Sequence, residues 1–80
     1  MIELESKRGL DQMLELADAM GYVPTVQTSS IGNITFTKTV LHHATTGIYF
    51  CTLYEYITEG DSVIEKYWYD FEDKGAHYEL

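Results

Sequence analysis

Leu10, Met13, Leu14, Ala17 and Met20 recur at the spacing of one helical stripe, and no such stripe follows Pro24. The chain therefore has one helix with which to cover whatever else it builds. Ser6 is the candidate N-cap and Gly21 the candidate C′ residue, with Tyr22 or Val23 packing back on the last turn. These signals predict a helix over about residues 7–20. Pro24 prevents its continuation.

Beyond Pro24 the composition turns to Thr, Val, Ile, Tyr and Phe, and strand signals run to the end. A short strand is predicted from Tyr22 to Gln27, a turn over Ser29 to Asn33, and an alternating strand from Ile34 to Leu41. Thr45-Thr46-Gly47 is the next turn. Gly60-Asp61 has the glycine-first pattern of a two-residue II′ hairpin. Those two loop residues would set Ile57 against Ile64, Glu55 against Lys66, Leu53 against Trp68 and Tyr54 against Tyr67. Glu72 to Gly75 reads as a turn, and Ala76 to Leu80 as a possible closing strand. The expected fold is α+β: one N-terminal helix on one face of a four- or five-stranded, mainly antiparallel meander. Eighty residues allow one domain, 1–80.

One helix can cover only one sheet face. In this register the covered face gathers Ile34, Phe36, Val40, Leu53, Ile57, Ile64 and Trp68. The outer face gathers Thr35, Thr37, Thr39, Tyr54, Tyr56, Glu65, Tyr67 and Tyr69. Tyrosine is rigid, amphipathic and enriched at interfaces. The outer face reads as a partner surface, a homodimer contact, or an ordinary solvated antiparallel face.

Thirteen acids oppose five Lys and Arg, for a net charge of −8. The excess lies in the second half: five acids and three bases in residues 1–40, eight and two in 41–80. Direct nucleic-acid binding needs clustered cations, which this chain lacks. A basic protein surface is the expected partner, although acidity also serves solubility. The candidate contact residues are Tyr54, Tyr56, Glu59, Asp61, Glu65, Tyr67, Tyr69, Asp70, Glu72 and Asp73.

Catalytic signals are missing. The adjacent His42 and His43 point to opposite faces of a strand, and neither they, Cys51 nor His77 stands at metal-ligand spacing. Cys51 sits in an apolar strand with no orienting third residue for a nucleophile pair. No phosphate loop is present. The reading is of a non-enzymatic protein with no metal and no cofactor. The single cysteine needs no oxidising compartment. The N-terminus lacks a signal-peptide pattern, and no apolar run approaches the roughly 20 residues of a membrane span. Cytoplasm is the default location.

In size, charge and its acidic-aromatic mix, the chain resembles small acidic phage proteins that inhibit nucleases or DNA-repair enzymes. No motif matches residue by residue. The resemblance implies an inhibitor of anti-defence or immunity-protein type, whose carboxylates occupy a channel built for nucleic-acid phosphates. The alternative is a small self-associating assembly protein that uses the tyrosine face.

Overall fold

In the computed structural model, which describes residues 1–71, the order is β1 (Ile2–Leu4), α1 (Lys7–Ala19), β2 (Tyr22–Ile31), β3 (Ile34–His43), β4 (Tyr49–Thr58) and β5 (Ile64–Asp70). The strands form one antiparallel sheet in the order β1-β5-β4-β3-β2. The α+β architecture, with one helix on one face of a meander, is as the sequence implies. The first strand was not anticipated: three residues ahead of the helix pair with β5, Leu4 opposite Tyr67. The suggested closing strand over Ala76 to Leu80 lies outside the described residues. Among the described residues no helix is long and apolar enough to cross a membrane.

The helix ends as its residues dictate. Gly21 takes φ +89° and its N–H donates to Asp18 O, while Met20 N–H reaches Leu16 O and Ala17 O. Tyr22 then packs against the core. The stripe is seated through Leu10 and Ala17, with Met13 and Leu14 partly buried beside them. Ala17 is fully buried, so its small side chain lets helix and sheet approach.

Two turns correct the predicted register. The glycine-first hairpin forms at Gly32-Asn33, where Gly32 has φ +59° and Ile31 faces Ile34. Strand β2 therefore continues through Ile31, where a turn had been expected. At the other candidate turn, Gly60 and Asp61 belong to a five-residue loop, 59–63. Asn33 holds the start of that loop: Glu59 N–H donates to Asn33 O at 2.9 Å, and the Asn33 side-chain amide donates to Glu59 O. Thr58, rather than Ile57, then faces Ile64, and Tyr54 faces Trp68 rather than Tyr67. Between β3 and β4 the register shifts at Leu41/His42, leaving Phe50 as an extra residue. Thr39, rather than Val40, lies opposite Leu53.

A one-residue slip exchanges the two faces of a strand. The helix accordingly sits on Leu41, Cys51, Leu53 and Tyr67, which with Leu10 and Ala17 form the buried cluster. Of the predicted sheet core only Leu53 belongs to it. Val40 is buried but lies on the opposite face with Phe36, Ile64 and Trp68, and Phe36 and Ile64 are exposed. Tyr67 is 3% exposed and Trp68 half-buried. Tyr67→Ala is therefore expected to lower unfolding stability by about 3 kcal/mol or more, and Trp68→Ala by about half as much. Denaturant titration of the two variants checks the order.

Candidate protein-binding surface

The correct register separates residues that the sequence had grouped. Tyr54 and Tyr56 lie on the face away from the helix with Phe36 and Trp68, and the Phe36 and Tyr54 rings sit 5.9 Å apart. Tyr67 and Tyr69 lie beneath the helix side, opposite Glu55 and Leu53 respectively. Glu65, two residues from Tyr67, shares that side. Glu59 and Asp61 are exposed in the loop. Asp70 is only 7% exposed and faces Thr52 on the side away from the helix. Glu72 and Asp73 lie outside the described residues.

Two acids, Glu55 and Glu65, lie where the helix stops covering the sheet. A 13-residue helix is about 20 Å long, whereas the ten-residue strands β2, β3 and β4 extend about 33 Å. The uncovered end of the helix side carries Glu55 and Glu65 beside a hydroxyl surface. Thr28 meets Thr37 there, and Ser30 meets Thr35, at 3.5 and 3.4 Å between side-chain oxygens. Tyr67 stands at the boundary between core and acidic surface. Its ring is buried, and its hydroxyl donates to Glu65 Oε2 at 3.1 Å. Its pKa is pushed up to about 12, first by burial, then by the Glu65 hydrogen bond and the charges of Glu65, Glu55 and Asp11. Three carboxylates thus act on one hydroxyl.

The two sheet lysines occupy the other side. Lys38 faces Tyr54 and Lys66 faces Tyr56, both on the aromatic face. A close reading of side-chain alternation could have found this segregation of charge, but only with the register known. The sequence pairing of Glu55 with Lys66 had concealed it.

His43 and Cys51 take structural places, and His77 lies outside the described residues. His43 Nδ1 accepts from the N–H groups of Thr45 and Thr46, both at 3.2 Å, so it organises the β3–β4 turn. Its ring packs edge-on against Tyr22 at 5.3 Å. Cys51 is fully buried, and burial pushes its thiol up to about 11. It carries negligible thiolate near neutrality. Among the described residues no three His, Cys, Asp or Glu side chains group as metal ligands. An open groove of about 340 Å³ between helix and sheet edge is lined by Leu4, Gly9, Gln12, Met13, Leu16, Tyr69 and Phe71. Its walls are mainly apolar and offer no acid–base pair. No protein-family model, curated protein or solved structure matches the chain.

Tyr67 and Cys51 both have folded pKa values above their ordinary ones, at about 12 and about 11. The unfolded chain ionises first as pH rises, so their contribution is complete only below about pH 8 and is lost as pH rises through the folded values. Tyr67→Phe is expected to flatten the alkaline fall in stability; denaturant unfolding at pH 8, 10 and 11 measures it.

Proposed function

We propose that the protein is a non-enzymatic binding protein whose helix-side acidic surface engages a basic site on another protein. The concrete form is an inhibitor that blocks the positively charged channel of a nucleic-acid-handling enzyme, as an anti-defence or immunity protein does. One observation carries the reading: Glu55, Glu65 and Asp11 gather around Tyr67 on one side of the sheet, while Lys38 and Lys66 lie on the other.

The helix also carries Lys7 and Arg8, and Glu3 and Asp70 lie on the face of the lysines, so the negative potential is local to Glu55, Glu65 and Asp11. That local potential steers a basic partner towards these residues. Glu55 and Glu65 are diagonal neighbours on adjacent strands and Asp11 approaches from the helix, so the three carboxylates cluster around Tyr67. Such a cluster can replace phosphates in a basic channel. Thr28, Ser30, Thr35 and Thr37 add hydroxyl donors and acceptors around it. Glu59 and Asp61 extend the negative edge into the loop.

The test uses the protein as bait in a lysate of its native host, with mass-spectrometric identification. The expected capture is a basic nucleic-acid-binding enzyme, displaced by added DNA or RNA and inhibited by the purified protein. Raising salt from about 0.05 to about 0.5 M is expected to weaken binding at least about tenfold. The triple variant Asp11→Asn, Glu55→Gln, Glu65→Gln should lose capture, while Tyr56→Ala retains it. Salt-independent binding, or loss only with Tyr56→Ala, would overturn the reading.

A further inference from the structure

We infer that β2 is a self-association edge, through which two copies of this chain join their sheets antiparallel about a two-fold axis at Thr28. Among the described residues the strand lies at the end of the sheet, and nine of its ten residues are exposed. Its sequence, from Tyr22 to Ile31, contains no Asp, Glu, Lys or Arg. Natural edges are usually protected by charge, bulges or shortness. This one is long, regularly paired to β3 along its length, and carries Pro24 alone as a block.

The hairpin geometry identifies the free hydrogen-bonding groups. Ile31 and Ile34 close the two-residue turn and form a hydrogen-bonded pair, so pairing recurs at every second residue. At the far end Ala44 N–H donates to Gly21 O at 2.9 Å, in the same phase. Odd-numbered residues of β2 therefore bond to β3. Tyr22, Pro24, Val26, Thr28 and Ser30 turn their backbone groups outward. Pro24 stands where its missing N–H costs β3 nothing. Val26, Thr28 and Ser30 remain as three consecutive outward pairs of donor and acceptor.

That triplet is complementary to itself. Centred on Thr28, it sets Thr28 against Thr28 of the second copy and Val26 against Ser30, for about six backbone hydrogen bonds. Pro24 falls outside the paired segment. The absence of charge selects a second copy as occupant, because a chain of net charge −8 can meet itself only where like charges stay apart. The nearest sheet charge, Lys38 on β3, would lie three strand spacings from its counterpart, about 14 Å. That distance exceeds the Debye length of about 8 Å at physiological salt. Both helices would fall on the same side of the doubled sheet, so the acidic surfaces would face one direction. The inference does not depend on the proposed partner.

Light scattering and sedimentation of the full chain test it, with amide hydrogen exchange as a local readout. The expected mass is twice the 9.2 kDa of the chain at micromolar concentrations. Slow exchange is expected at Val26, Thr28 and Ser30. Thr28→Pro removes the central donor without touching the β2–β3 ladder, and should give a folded monomer with fast exchange at Val26 and Ser30. Thr28→Lys keeps the donor, places two cations on the axis, and should weaken the dimer several-fold; it decides the matter if the proline variant does not fold. A monomer at every concentration would overturn the inference. So would a dimer indifferent to Thr28→Lys, particularly one lost on Phe36→Ser, which would assign association to the aromatic face.

Discussion

The seating of Ala17 and Leu10 on Leu41, Cys51, Leu53 and Tyr67 governs the rest of the molecule. Side chains alternate along a strand, so covering one residue of β4 commits its neighbours to the other side. With Leu53 beneath the helix, Tyr54 and Tyr56 must face away. The antiparallel ladder passes the same choice to β5, burying Tyr67 and turning Trp68 outward. One packing decision thereby sorts every aromatic and charged residue of the central strands.

The charge pattern follows from that sorting. Glu55 and Glu65 share the side of Tyr67, and Lys38 and Lys66 share the side of Tyr54. The helix is too short to cover the full strands, so the acids remain at the surface even though they lie on the core side. Burial first, and then the Glu65 hydrogen bond and the charges of Glu65, Glu55 and Asp11, raise the Tyr67 pKa. Core and candidate interface are thus two ends of one sheet face, continuous through a single side chain. The aromatic face is a separate surface with its own lysines.

The helix, its glycine stop and the antiparallel meander were legible because they depend on local signals. A helical period, a residue with positive φ and a β-rich composition act over a few residues. The face assignment was not legible. Gly60-Asp61 offers the same glycine-first dipeptide chemistry as Gly32-Asn33, yet only the latter closes a two-residue turn. Glu59, 26 positions away, bonds to Asn33 on the neighbouring hairpin and stands outside the β4–β5 ladder. The extra residue at Phe50 shifts the β3–β4 register in the same manner. Val40, Thr52 and Asp70, buried on the face away from the helix, likewise have no signature in a pattern that assumes one dry and one wet side.

The sequence by itself determined the class of fold, the single helix and its end, and the excess of acid in the second half. These rest on short-range geometry and composition. The tertiary structure alone decided which tyrosines are core, which acids stand together and which strand edge lies open. Those outcomes depend on register, and register depends on contacts between residues far apart in the chain. A shift of one residue costs little in local propensity but reverses every face.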